Sequence, residues 1–213
     1  MTDLRYPTLG ETWLDLVRRV FHSGEVIGGE TREVVCAAAA FEKADFETDP
    51  LLRRFASSRH VQEMRKVFFS DEPNQFGHSY ASMITGPLGR RDLSDVADLL
   101  TSEPDSKRAL VSLTGTGNGK VPCLNAIHFL RRSGGLRVVY FARGQDIYRK
   151  FYADAVCVHE MGRRVASCLG IPLNLVTGII SSAHIYLADL PEIEAMLAEY
   201  EGVPASGTAL DGE

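Results

Sequence analysis

Cysteine is scarce in this chain and scattered along it. The four thiols, Cys36, Cys123, Cys157 and Cys168, form no Cys-x-x-Cys pair and follow no secretory leader. That argues against a disulfide framework and for reduced thiols in a cytoplasmic protein. Histidine and cysteine also lack metal-ligand spacing, so no metal site is expected. Long hydrophobic runs are missing as well. The longest, 36–41 and 173–180, fall far short of the roughly 20 apolar residues of a membrane span. Positive charge is in deficit, with 23 Lys and Arg against 28 Asp and Glu and a net charge of -5. A nucleic-acid polymer is normally met by a basic surface and is therefore not the expected ligand. A single nucleotide needs only a few local arginines. No internal repeat and no low-complexity tract appears.

What is present is an ordinary globular composition, 45% hydrophobic and 24% charged over 213 residues, enough for one domain with a substantial core. That domain is expected over 1–200, with 201–213 a disordered tail of small and acidic residues. Residues 1–9 read as a loose start. Apolar spacing predicts helices over 11–22, 60–69, 93–100, 154–169 and 191–200. Strands are predicted over 34–41, 109–113 and 173–180, the last leading into 181–186. Between the first helix and the first strand, 24–33 is a glycine-rich loop holding Arg32, and Asp49-Pro50 breaks the chain. The stretch 115–120 (GTGNGK) is not a phosphate loop. Thr114 stands where the first glycine is required, and Lys120 is followed by Val121 rather than Ser or Thr. A turn between strands explains it.

The polar residues gather in 121–154. Cys123 follows Pro122 and precedes a roughly alternating apolar run containing Ala126, Ile127, Phe129 and Leu130. Ser133-Gly134-Gly135 makes a turn, and 136–142 returns as a second strand. Arg143 ends that strand, Asp146 follows, and a helix opens at Asp154. A thiol, a cation and two carboxylates therefore meet where a hairpin joins a helix. By burial preference Cys36, Cys157 and Cys168 read as core residues. Cys123 alone would read the same way without its neighbours.

Pro122-Cys123, then Arg143-Gly144-Gln145-Asp146, then Asp154 eight residues on, then Ala183-His184-Ile185-Tyr186 resemble in order and spacing the thymidylate synthase family, including its cytidylate hydroxymethylase branch. The resemblance runs from about 105 to 186, and more loosely back to about 12. It implies an α+β fold with a large mixed β-sheet and flanking helices, and a homodimer whose sites are shared. It also implies a pyrimidine nucleoside monophosphate as substrate and 5,10-methylenetetrahydrofolate as cofactor.

Carried over residue by residue, Cys123 would add to C6 of the pyrimidine and so make C5 nucleophilic, with Arg143 as the cation beside it and a phosphate ligand. His184 and Tyr186, alternate residues of one strand, would reach the sugar hydroxyl. Asp146 matches an aspartate near the base, and Glu63 a glutamate that relays protons at the ring. Read alone, Glu63 is a surface glutamate. Lys107 and Arg108 resemble an arginine pair that reaches the partner's nucleotide phosphate, although lysine lacks the bidentate fork. An exposed charge pair at a strand start needs no such role. Arg32 matches a loop arginine on the phosphate, and a solvated arginine explains it equally well. His128 stands where the family has glutamine, Leu124 where it has histidine, and Gly144 where it has serine. Two further departures are a small subdomain reduced to 70–75 before Phe76-Gly77, and a carboxyl-terminal closure that is missing.

Asp154 bears on the base. In thymidylate synthases the matching residue is asparagine, suited to the uracil edge. Aspartate suits cytosine, accepting from the 4-amino group and donating to N3. The alternative is that Asp154 only caps its helix. The expected reaction is 5-hydroxymethylation of CMP or dCMP, in which water captures an exocyclic methylene. The alternatives are a C5 methyltransferase and a shortened homologue that binds a nucleotide without catalysis.

Overall fold

The fold is taken from a computed structural model, which describes residues 5–72, 79–90, 92–113 and 121–202. The turn expected at 115–120, Phe76-Gly77 and most of the expected tail, from 203 on, lie outside the described residues.

The chain opens with a strand, β1 (Arg5–Thr8), where a loose start was expected. Thr8 then caps α1 (Leu9–Ser23) in a capping box with Glu11, satisfying amides that a helix start leaves without partners. The apolar face of α1, with Trp13, Leu14, Leu16, Val17 and Val20, is fully buried. Gly24 ends the helix, and the glycine-rich segment forms a hairpin rather than a loop: β2 (Glu25–Ile27) pairs with the start of β3 (Thr31–Lys43). Asp49-Pro50 does not break the chain but starts α2 (Pro50–Phe55). Asp49 is its N-cap, accepting from Leu51 N and Leu52 N, and Pro50 sits in the first turn.

Next come α3 (Ser58–Phe69), α4 (Tyr80–Met83), β4 (Ile84–Thr85), α5 (Ser94–Ser102) and β5 (Leu110–Leu113). The hairpin β6 (Leu124–Arg132) and β7 (Gly135–Asp146) follows, then α6 (Phe151–Cys168), β8 (Leu173–Tyr186) and α7 (Leu190–Gly202). The hairpin and β8 match the expected strands. β7, however, carries Arg143 inside it rather than at its end.

Among the described residues the strands form one mixed sheet in the order β1-β3-β8-β7-β6-β5-β4, with β2 on β3. β7 and β8 are parallel neighbours joined through α6, since parallel strands need a long crossover. Register divides the sheet into two faces. Ile127, Tyr140, Gly178 and Ala39 lie abreast, as do Phe129, Val138, Val176 and Phe41. Apart from Gly178, all are at most 1% exposed, and α1 and α6 pack on β3, β7 and β8. The opposite face carries Ala126, Phe141, Ile179 and Ala38 in register, and Phe141 is 41% exposed.

Two cysteines depart from their expected burial. Cys36 lies in the middle of β3 with φ 61, a conformation rare outside glycine, and is exposed. Cys168 is exposed at the end of α6, whereas Cys157 is buried as expected.

Candidate active site

The site forms at the ends of β6, β7 and β8, against the first turn of α6. Cys123 comes just before β6, and the β6–β7 register shifts between Leu124 and Ala126, so Asn125 is the extra residue of a bulge. Bulges re-aim the backbone at sheet ends, and this one is held on both sides. Asn125 Nδ2 donates to Pro122 O at 2.9 Å, while its Oδ1 accepts from Arg143 N at 3.2 Å. Arg143 N also reaches Cys123 O at 2.9 Å. The Arg143 guanidinium closes over the same segment, donating from Nη2 to Val121 O at 2.8 Å and from Nε to Pro122 O at 3.1 Å. Cys123 is exposed, with its loop clamped by the residue expected to hold phosphate. Cys157 is a poor nucleophile by contrast, because burial pushes its thiol well above the usual range.

Asp154 does not cap α6. The helix begins at Phe151, and Asp154 faces the sheet, where its Oδ2 accepts from Gln145 Nε2 at 2.7 Å. Only 4% of Asp154 and 3% of Gln145 is exposed. Two effects oppose each other on this carboxyl. The amino-terminal end of a helix favours a negative charge, and the Gln145 amide favours it too. Burial disfavours it and wins, raising the pKa from 3.8 to about 6. Among the described residues Asp154 Oδ1 and Gln145 Oε1 have no hydrogen-bond partner, and neither does the buried hydroxyl of Tyr140, which burial and then the Asp154 charge hold un-ionised.

Asp146 and His184 are register partners on β7 and β8, and Ile147 N donates to His184 O at 2.8 Å. Burial raises the Asp146 pKa although Arg149 N donates to its Oδ1 at 2.9 Å. His184 Nδ1 lies 3.3 Å from Ser182 O. A carbonyl only accepts, so Nδ1 carries the proton and Nε2 is left as an acceptor. The Tyr186 ring meets His184 edge-on at 5.8 Å, and Tyr186 is 39% exposed.

Sequence reasoning missed three residues here. Tyr80 on α4 is buried, takes a backbone hydrogen bond from Leu124, and lies in the fields of Asp154, Cys123 and Arg143. Gln145 and Tyr140 are the others. None belongs to a local motif, but a buried glutamine one residue before Asp146 on an apolar strand was a signal, since such an amide needs partners.

Other expected residues stand apart from this cluster. Arg32 is on β3, where its guanidinium donates to Phe21 O and lies over the Phe21 ring at 5.9 Å. Glu63 is on the exposed side of α3, paired with Arg59 at 2.8 Å. Arg108 is exposed and forks onto Glu103 at 2.6 and 2.7 Å. His128 Nε2 donates to Lys107 O at 3.0 Å, and His128 shares the outward sheet face with Leu110 and Val139.

The structure is similar to the thermostable thymidylate synthase A from Bacillus subtilis, with a TM-score of 0.66 over 90% of this chain and 84% of that one, at 11% identity. The chain has the thymidylate synthase fold. No family model matches its sequence. Archaeal proteins carrying the name "Putative thymidylate synthase" do align with it. That of Methanothermobacter thermautotrophicus is 25% identical over 211 residues, covering 89% of this chain and 95% of its own. That of Methanosarcina barkeri is 26% identical over 202 residues, covering 90% and 92%. These thymidylate synthase-like relatives are thus close to this chain in length. Among the described residues no helix is long and apolar enough to cross a membrane. Nor is there a group of three His, Cys, Asp or Glu placed to hold a metal ion.

Proposed function

We propose that this protein is a thymidylate synthase-like one-carbon transferase that hydroxymethylates C5 of a cytidine monophosphate, CMP or dCMP. Cys123 Sγ adds to C6, which turns C5 into a nucleophile for the one-carbon unit of methylenetetrahydrofolate, a substrate consumed in each turnover. Loss of the C5 proton and of tetrahydrofolate leaves an exocyclic methylene; water adds to it as Cys123 Sγ leaves C6, which restores the aromatic ring and the free thiolate. The exposure of Cys123 leaves room for that second substrate beside the ring. Arg143 is the proposed phosphate ligand, released from the carbonyls it now covers, and His184 Nε2 accepts from a sugar hydroxyl.

The observation that carries the choice of base is Asp154. An asparagine there would present a fixed amide, whereas a buried carboxyl with a pKa raised to about 6 exists in both protonation states near neutrality. Protonated, it donates to N3 of cytosine and accepts from the 4-amino group. Ionised, it pairs with a ring protonated at N3. The shared site of a homodimer is supported by the apolar outward sheet face around Phe141, since such faces mark interfaces. Lys107, Arg108 and His128 lie at the margin of that face, from which the first two would reach the partner's nucleotide.

The test is mass spectrometry of CMP and dCMP, each incubated with the protein, methylenetetrahydrofolate and formaldehyde, beside a Cys123→Ala control. A gain of one CH2O unit, lost in the control, is expected. Asp154→Asn should shift preference toward uracil nucleotides, and an unchanged base preference would remove its role as reader. The name of the archaeal relatives favours a second reading, C5 methylation of a pyrimidine nucleotide. Product mass separates the two.

A further inference from the structure

Three buried polar atoms without partners among the described residues lie on one strand and the adjoining helix turn, namely Asp154 Oδ1, Gln145 Oε1 and the Tyr140 hydroxyl. The first two belong to one hydrogen-bonded pair and are pure acceptors when Asp154 is ionised. Buried acceptors left bare are costly, and natural proteins rarely keep them without a reason. While Asp154 is ionised the orientation of the glutamine amide is fixed by chemistry: a carboxylate cannot donate, so the NH2 group must face Asp154 and the carbonyl oxygen must face elsewhere. The pair therefore offers two acceptor oxygens from two different residues.

We propose that Gln145 is a specificity-determining residue of the base pocket: it fixes Asp154 through Oδ2 and supplies Oε1 as a second acceptor for the exocyclic amino group of the pyrimidine. This rests on the reading of Asp154 as the residue that meets the base edge. The selection follows from counting donors. A cytosine amino group has two N–H bonds, one for Asp154 Oδ1 and one for Gln145 Oε1. Uracil presents a bare O4 in the same place, which sets a third acceptor against two. Asp154 alone can adapt to uracil by changing its protonation state, whereas the carbonyl of Gln145 has no such freedom while its amide is held. Gln145 thus converts an adjustable reader into one that demands an amino group.

The test is a cycle between protein and ligand, read by calorimetric binding. Wild-type protein and Gln145→Met, which fills a similar volume without polar atoms, are each titrated with CMP, UMP and the 4-deamino analogue of CMP, and with the deoxy series. The wild-type protein is expected to prefer CMP over the 4-deamino analogue by about tenfold or more, the size of one buried hydrogen bond. Gln145→Met should lose most of that preference and move the CMP-to-UMP ratio toward uracil by a similar factor. Gln145→Leu, a second replacement without polar atoms, should lose the preference in the same way, which keeps the test decisive if the methionine variant folds poorly. Wild-type preference for CMP that persists undiminished in whichever of these two apolar variants folds overturns the role of Gln145 and leaves that of Asp154 standing. Absence of any wild-type preference for the amino ligand overturns both.

Discussion

Replacing Asp154 by asparagine should make the protein more stable at pH 8 and leave it nearly unchanged at pH 4. The buried carboxyl has its pKa raised from 3.8 to about 6. A raised pKa means that the folded state binds this proton more tightly than the unfolded chain does. The stability it confers is fully present below the unfolded value near 3.8 and is lost as pH rises through about 6. Above that range the folded protein carries the whole cost of an ionised, desolvated carboxylate. A shift of about two pH units at ~1.4 kcal/mol each gives a cost of ~3 kcal/mol. The residue is 4% exposed, so solvent screening does little to reduce this. Asparagine keeps an oxygen to accept from Gln145 Nε2 and carries no charge to desolvate. For a chain of this length ~3 kcal/mol corresponds to a rise in Tm of roughly 6–12 °C. The assay is thermal unfolding followed by circular dichroism, without nucleotide, at pH 4, 5, 6, 7 and 8. The gain should grow across pH 4 to 6 and then level off. A gain independent of pH, or a loss of stability at pH 8, would refute the assignment of burial as the dominant force on Asp154.

Two further substitutions test the packing that supports the site. A methyl group on Gly178 would come within 2.5 Å of both Cζ and the hydroxyl of Tyr140, so Gly178→Ala should cost about 1–3 kcal/mol in urea unfolding through overpacking. Tyr140→Phe should not rescue it, because the ring carbon clashes as well as the oxygen; full rescue would place the conflict at the hydroxyl alone. Asp49 accepts from Leu51 N at 3.0 Å and Leu52 N at 3.2 Å, and from Gly10 N at 2.8 Å, so it ties the start of α2 to the start of α1. Asp49→Ala should cost about 2–3 kcal/mol, above the ~1 kcal/mol typical of an N-cap alone. A loss no larger than that of an isolated cap would show that the Gly10 contact contributes nothing.

Elements with a long apolar period were readable in the sequence, and short or punctuated ones were not. α1 and α3 carry four or more apolar residues at helical spacing, and the 124–146 hairpin has its turn residues in place. β1 and β2 span only four and three residues and form because β3 offers them a free edge, a tertiary cause with no local signature. Proline at 50 reads as a breaker, although after an N-cap aspartate it is well suited to open a helix. The alanine run around Cys36 suggested burial, but a single left-handed residue in β3 left that thiol exposed. Within the site, Cys123, Arg143, Asp146, Asp154 and His184 could be nominated because they keep a family's order and spacing. Gln145, Tyr140 and Tyr80 could not, since their roles depend on what faces them across strand and helix.

The arrangement around Asp154 also bears on how much of the site is preformed. The two acceptors without partners, Asp154 Oδ1 and Gln145 Oε1, sit where the parallel strands β7 and β8 meet the first turn of α6. Ala183, the register partner of Gln145, and Tyr140, which lies in the field of Asp154, are at most 1% exposed, so rearranging the backbone there would disrupt the core. On the proposed reading the donors come from the nucleotide. A site of this kind loses stability while empty and recovers it on binding, so the nucleotide should raise Tm by more than its affinity for a neutral pocket would give. Arg143 behaves in the opposite way. Its guanidinium donates from Nε and Nη2 to the carbonyls of Val121 and Pro122, and on the proposed reading binding a phosphate releases them. On the proposed reading the base end of the site is preformed, whereas the phosphate end opens on binding. Removing Asp154 should therefore change which nucleotide binds, and removing Arg143 should also loosen the segment that carries Cys123.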